Sequence, residues 1–329
     1  MKQIVVMGAG AIGSLYGGLM SRAGFDVVLV ARPPHVDAIR TDGLKITGIL
    51  GEMTCRVEAV ESARAINRAD IVFITTKSYD TINAAREIRH LVDAGAPVVV
   101  LQNGLGTERL VERELMTTRV LRATTCMGAA LDSPGHVNMT GDGLTEVGSH
   151  HDENKTIVDE VVGILETSGF DVRGSENMEG VVWTKTLVNC GINPVGALTG
   201  LTNGEIYRSQ VLRRLVIRLV EETMQVVNAL GVKLTTDNPI RYTLGTAKAT
   251  GDNVNSMLQD IRARKRTEID YLTGAVLKIA EDLGLDLPAS QTVYALVKAL
   301  ESRYIESQHD QVSDMFLSSQ ELVQVIMGR

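Results

Sequence analysis

From Met1 to about Gly174 the chain alternates between two hydrophobic rhythms. Gln3–Met7, Asp26–Ala31, Ile71–Thr75 and Pro97–Leu101 are short apolar runs rich in Val and Ile, the pattern of strands buried on both faces. Between them, Ile12–Ala23, Thr81–Val92 and Gly106–Leu115 carry apolar residues at helical spacing. Strands alternating with helices predict βαβ units and a parallel sheet covered on both sides. Leu44–Ile49 and Thr54–Ala59, around Gly51, predict an inserted antiparallel pair. Further short strands are expected at Val120–Thr124, Val137–Thr140 and Thr145–Gly148, then a helix at Asn154–Ser168.

Past Gly174 only the helical period remains. Val211, Leu212, Leu215, Leu219, Val226 and Leu230 form one apolar stripe; Ile269, Leu272, Val276, Ile279 and Leu283 form another. Pro194, Pro239 and Pro288 punctuate these helices. The pattern predicts an α/β domain over residues 1–174 and an all-helical domain over 175–329, with the boundary inside Arg173–Glu179. A length of 329 residues suits two domains of about 150 residues each.

Composition narrows the class. A hydrophobic content of 44% with 4% aromatics is globular and aliphatic, and the net charge of −7 argues against a nucleic-acid footprint or attraction to anionic membranes. No apolar stretch approaches the ~20 residues that span a bilayer, and the start of the chain lacks a signal-peptide pattern. Cys55, Cys126 and Cys190 are odd in number, widely spaced and set among apolar neighbours, which reads as reduced structural thiols. The expectation is a cytoplasmic protein with no nucleic-acid or membrane partner.

Gly8-Ala9-Gly10-Ala11-Ile12-Gly13 follows the first strand and opens a helix. In that context GxGxxG reads as a dinucleotide fingerprint: Gly8 for the tight turn, Gly10 for close approach of a pyrophosphate, Gly13 for helix–strand packing. The helix N-terminus supplies N–H groups and partial positive charge to the phosphates. At the end of the second strand stands Arg32, where a site preferring NAD(H) would carry a carboxylate for the ribose hydroxyls. A guanidinium suits a 2′-phosphate instead, so NADPH/NADP+ is the expected cofactor. Lys77 and Asn103 fall after later strands, at the sheet edge where ligands bind.

In the helical part, Lys185, Asn189 and Asn193 recur every four residues beside the only Trp, Trp183. On a helix this places one ammonium and two carboxamides along one face. A solvated surface stripe is the bland reading; the floor of a small polar site is the functional one. Pro194 should disturb the helix just after Asn193.

These motifs resemble those of the ketopantoate reductase family over essentially the whole chain. The resemblance is carried by Gly8–Gly13, Lys77, Gln102-Asn103-Gly104, the run from Trp183 through Lys185, Asn189 and Asn193 to Pro194, Asn203-Gly204-Glu205, and the block from Ser256 through Glu268 to Tyr271. It implies a Rossmann-type N-terminal domain and an all-α C-terminal domain like that of 6-phosphogluconate dehydrogenase. The implied reaction is NADPH-dependent reduction of 2-dehydropantoate to (R)-pantoate, on the route to pantothenate and coenzyme A. By the same resemblance Lys185 is the general acid, and Asn189, Asn193, Asn203 and Ser256 bind substrate. Asn103 would touch substrate and cofactor; Lys77, Ala130 and Glu268 would contact the cofactor.

The chemistry asks for such residues on its own account. Hydride arrival at a ketone carbon builds charge on oxygen, which needs a proton and a positive donor nearby. Lys185 offers both, whereas five of the six histidines lie at or before His151 and the sixth is His309. Individual members have plainer readings: Ser256 fits the N-cap of a short helix with Gln259 three residues on, and Glu268 fits a first-turn acid. The expected arrangement is a site between the two domains, taking a small 2-keto acid. Two competitors stand: a reductase for another branched 2-keto acid, and a non-catalytic NADPH sensor. The apolar helix faces suit a homodimer contact or packing within one chain equally.

Overall fold

The computed structural model describes residues 1–305. The chain forms two compact units, one of Met1–Gln102 with Thr107–Met178, the other of Asn103–Gly106 with the chain from Glu179 onward.

In the first unit the strands are β1 (Gln3–Met7), β2 (Asp26–Val30), β3 (Leu44–Gly48), β4 (Met53–Cys55), β5 (Glu58–Val60), β6 (Ile71–Ile74), β7 (Val98–Val100), β8 (Val120–Thr125), β9 (Gly128–Ser133), β10 (His136–Gly141), β11 (Thr145–Gly148) and β12 (Val172–Gly174). Its helices are α1 (Ala11–Arg22), α2 (Pro33–Asp42), α3 (Thr81–Asp93), α4 (Thr107–Leu115) and α5 (Lys155–Thr167). The main sheet runs in the order β12-β11-β8-β7-β6-β1-β2-β5. From β8 to β5 the neighbours are parallel; β11 pairs antiparallel with β8, so the edge carrying β12 departs from the all-parallel expectation.

Period-two burial explains why both sheet faces are dry. Ile4 and Val6 of β1 join Ile71 and Phe73 of β6 in one core cluster, while Val5, Met7, Val72 and Ile74 belong to another on the opposite face. All four residues of β6 are fully buried, each worth roughly 1.5–3 kcal/mol relative to exposure. That is why the strand reads as an unbroken apolar run rather than an alternating one.

The structure departs from the sequence pattern at several points. Thr54–Ala59 is not one strand: β4 pairs antiparallel with β3, whereas β5 crosses to the main sheet and runs parallel to β2. The small sheet has the order β4-β3-β10-β9, and β9 escaped notice because Gly128-Ala129-Ala130 gives little alternation and its remaining residues are exposed. Helix α2, absent from the predicted elements, starts at Pro33-Pro34, where proline suits the first helical position because no N–H is required there. Among the cysteines, Cys55 and Cys190 are buried but Cys126 is exposed, so an apolar neighbourhood in sequence did not translate into burial.

The second unit contains α6 (Met178–Thr199), α7 (Asn203–Arg208), α8 (Gln210–Leu230), α9 (Pro239–Ala249), α10 (Ser256–Arg262), α11 (Thr273–Asp282) and α12 (Pro288–Glu301). Its core joins Leu187, Ile192 and Val195 of α6 to Val216, Leu219 and Val220 of α8 and Val293 of α12. The fully buried Glu222 of α8 accepts from the N–H groups of Ala289 and Ser290, which otherwise lack helical partners in the first turn of α12. Helix α6 runs through Pro194 to Thr199, so the proline removes a donor without ending the helix. No described helix is long and apolar enough to cross a membrane.

Candidate active site

The parallel strands β1, β2, β6 and β7 are adjacent in the sheet, and Gly8–Gly13, Arg32 and Lys77 follow the C-terminal ends of β1, β2 and β6. β1 lies between β2 and β6, where the chain reverses its direction across the sheet. That switch point is where open α/β sheets hold ligands.

Gly8 adopts φ +98°, and a Cβ there would stand 2.4 Å from Thr76 Cγ2 and 2.7 Å from Thr76 N. Only glycine fits. The N–H groups of Gly8 and Ala9 donate to Val30 O at 3.1 and 2.8 Å, fastening the turn to β2. At Gly13 a Cβ would meet Thr75 Oγ1 at 2.4 Å, so its absence lets α1 pack closely on β6. Gly10, the N-cap of α1, is different: a Cβ there would meet only Gly8 O at 3.9 Å. With no side-chain cap and no acid in the first turn, the N-terminus of α1 is an open, positively polarised cradle that fits a pyrophosphate. Ala11 and Ile12 form its first turn.

Arg32 is exposed and is the N-cap of α2, directly after β2. Lys77 is half-buried and follows β6; its carbonyl accepts from Gln102 Nε2 at 3.2 Å. The same amide donates to Thr76 O and Thr76 Oγ1, both at 2.9 Å, and Gln102 Oε1 accepts from Thr81 Oγ1 at 3.1 Å. Gln102 therefore locks the Lys77 turn, a role that its place in the Gln-Asn-Gly motif did not disclose. Its carbonyl accepts from Arg122, which is buried with Glu108 at 3.3 Å. Burial raises the Glu108 carboxyl, but Arg122 and His150 outweigh that and hold its pKa down at about 2. Ala130 lies in β9 opposite Asn138 of β10, in the small sheet.

The second unit holds the other candidates. Lys185 and Asn189 are half-buried on α6, and Asn193 on the same face is buried. Trp183 has no exposed surface, so it is core rather than site wall. Burial pushes the Cys190 thiol up to about 12, keeping it protonated and inert. Asn203 is buried at the first position of α7, where Thr202 and Glu205 form a capping box. Its Nδ2 donates to Thr250 Oγ1 at 2.9 Å, and its N–H donates to Asn253 O. Its Oδ1 is buried with no protein partner.

Ser256 is exposed at the start of α10 and is not the cap. Asn255 is: its Oδ1 accepts from Leu258 N at 3.0 Å. Asparagine caps as well as serine, so the sequence could not choose between these neighbours. The hydroxyl of Ser256 is thereby left out of the capping role.

Glu268 is buried, and Asn103 Nδ2 donates to its Oε2 at 3.2 Å. This is a direct bond between two predicted site residues far apart in the chain. Leu105 N–H donates to Tyr271 O at 3.1 Å, tying the 103–106 loop to the same turn. Asp270 anchors that turn from behind, accepting from Tyr294 Oη at 2.8 Å, Lys298 Nζ at 3.0 Å and Arg266 Nη2 at 3.1 Å. Burial pushes the Asp270 carboxyl up, yet Lys298 and these hydrogen bonds prevail and hold it below its usual range. Glu301 accepts from Thr267 N at 2.6 Å on the other flank. Arg266 and Asp270 pair outside any α-helix, and Tyr294 and Lys298 reach the same carboxylate from α12. Among the described residues, no group of His, Cys, Asp or Glu could hold a metal ion.

The comparisons with known proteins agree over both units. Residues 4–152 match the family model described as Ketopantoate reductase PanE/ApbA, and residues 177–301 match that of its C-terminal part. The 2-dehydropantoate 2-reductase of Pyrococcus abyssi is 35% identical over 301 residues, covering 91% of this chain and 98% of that protein. A crystal structure of a PanE/ApbA family ketopantoate reductase from Ralstonia eutropha JMP134 superposes with a TM-score of 0.85 at 31% identity, covering 92% of this chain and 99% of that one. D-mandelate dehydrogenase in a ternary structure with NADH and anilino(oxo)acetate gives a TM-score of 0.86 at 24% identity, over 92% of this chain and 99% of that one. That last likeness speaks to the fold alone.

Proposed function

The chain belongs to the ketopantoate reductase family, and from that premise we propose that this oxidoreductase reduces the C2 ketone of 2-dehydropantoate to give (R)-pantoate, using NADPH. Residues 1–174 serve the dinucleotide and 175–329 the keto acid, with Asn103 contributing to the latter set. When bound, the dinucleotide supplies a hydride to the ketone carbon.

The observation that carries the reading is the α6 stripe: a half-buried ammonium in line with two carboxamides, in a chain with an open dinucleotide cradle. Lys185 donates a proton to the ketone oxygen as charge develops there. Asn189, Asn193, Asn203 and Ser256 can accept and donate hydrogen bonds without adding charge, which suits a substrate bearing a carboxylate and a hydroxyl. The buried Oδ1 of Asn203 calls for a donor, and a substrate hydroxyl would supply one. Glu268 and Asn103 hold one another, so the amide carbonyl of Asn103 keeps a fixed direction. In the first unit, Gly8–Gly13 receive the pyrophosphate, Arg32 the 2′-phosphate, and Lys77 and Ala130 line the cofactor's path.

The test is NADPH oxidation with 2-dehydropantoate against a panel of branched 2-keto acids, on wild type and Lys185→Ala. Lys185→Ala should lose about 10²–10⁴-fold in kcat with the KM for NADPH little changed. Equal turnover by the variant would sink the general-acid role, and preference for another keto acid would transfer the chain to the competing substrate.

A further inference from the structure

His35 is buried, and none of the chemistry above uses it. Both of its ring nitrogens are engaged. The backbone N–H of Gly135 lies 2.9 Å from Nδ1, and an amide N–H can only donate, so Nδ1 carries a lone pair. The proton of the neutral ring therefore sits on Nε2, which lies 2.9 Å from Ser14 Oγ and donates to it. The Ser14 hydroxyl in turn donates to the carbonyl of Ala9 at 3.2 Å. A directed chain thus runs from Gly135 through His35 and Ser14 into the glycine-rich turn. Burial lowers the pKa of the ring, which favours the neutral form this chain requires.

The two side chains of this chain, Ser14 and His35, stand at the two proposed phosphate grips. Ser14 is in the first turn of α1, its N–H donating to Gly10 O at 2.9 Å. His35 is in the first turn of α2, its N–H donating to Arg32 O at 3.0 Å, with Arg32 as the N-cap. Pro33 and Pro34 stiffen the step between them. One imidazole therefore couples the helix that begins behind the pyrophosphate cradle to the helix that begins at Arg32.

We propose that His35 is a positioning residue that sets the distance between the glycine-rich turn and Arg32, and through it the preference for a dinucleotide bearing a 2′-phosphate. This rests on the NADPH reading above. A dinucleotide without the 2′-phosphate needs only the cradle and tolerates a drift of α2. One that carries it must meet cradle and guanidinium together, so it loses affinity when the tie is cut.

The experiment measures kcat and KM with NADPH and with NADH for wild type, Arg32→Ala, His35→Ala, Ser14→Ala and His35→Gln, with thermal melting as the folding control. His35→Ala and Ser14→Ala should each raise the KM for NADPH about tenfold, the scale of one lost hydrogen-bonded tie. The KM for NADH and the kcat at saturating NADPH should stay within about twofold. His35→Gln keeps a donor within reach of Ser14 and should recover most of the preference. Ser14→Ala leaves α2 untouched and decides the matter if His35→Ala does not melt cooperatively. An unchanged NADPH-to-NADH ratio in Ser14→Ala, or an equal loss for both cofactors, overturns the proposal while Arg32→Ala still shifts the ratio. If Arg32→Ala leaves the ratio unchanged, the NADPH reading itself falls and takes the proposal with it.

Discussion

Gly104→Ala tests whether the loop carrying Asn103 is held where the chemistry needs it. Gly104 sits at φ +93°, and a Cβ there would lie 2.8 Å from both the Cβ and the carbonyl oxygen of Tyr271. Ordinary contact begins at 3.4 Å, so the loop must retreat by about 0.6 Å, and the neighbour on one side is backbone that cannot rotate away. Holding alanine at positive φ costs roughly 1–3 kcal/mol. Weakening the bond from Leu105 N–H to Tyr271 O adds about 0.5–1.5 kcal/mol. Retreat of the loop also pulls Asn103 from Glu268, at 3.2 Å already a long hydrogen bond. A misplacement of ~1 Å at a reacting group can cost about 10²-fold in rate, so kcat/KM for the keto acid should fall about 10- to 100-fold. Melting should drop by several degrees, at ~2–4 °C per kcal/mol for a chain region of this size. Steady-state kinetics and thermal melting on the purified variant read both effects. Wild-type kcat/KM together with wild-type melting would refute the argument, because neither the backbone nor Tyr271 could then be constraining the loop.

Two further outcomes follow from the same geometry. The Glu108 carboxyl is held at about 2 against an ordinary 4.5; because the folded pKa is the lower one, its stabilisation is full above pH 4.5 and lost as pH falls toward 2. At ~1.4 kcal/mol per pKa unit this is about 3 kcal/mol, so the melting gap between wild type and Glu108→Gln should be wide at neutral pH and close on acidification. A gap that stays constant down to pH 3 would show that the pair with Arg122 does not stabilise the fold. For α10, Asn255→Ala should cost about 1 kcal/mol of stability through the lost cap, whereas Ser256→Ala should leave melting unchanged and raise the KM for the keto acid; the reverse result would make Ser256 a structural residue.

Much of the candidate site's geometry was legible because it is local. The four-residue spacing of Lys185, Asn189 and Asn193 needs only a helix to become one face, and α6 provides it even across Pro194. Gly8, Gly10 and Gly13 were readable for the same reason: a strand, a turn and a helix follow one another without a break. What failed locally failed for want of a distinguishing signal. Asn255 and Ser256 are both good caps, Pro33-Pro34 serves a turn as well as a helix start, and β5 is too short to announce which sheet it joins.

Periodicity, turn chemistry and capping are properties of a few consecutive residues, and from them the chain itself determined an α/β part, a helical part, a dinucleotide turn and a Lys–Asn–Asn stripe. Tertiary structure alone decided the rest. Asn103 meets Glu268 across 165 residues, Gly135 meets His35 across 100, and Tyr294 and Lys298 converge on Asp270 from another helix. No local rule encodes such pairings, because each depends on which buried polar groups are left seeking partners once the core has closed.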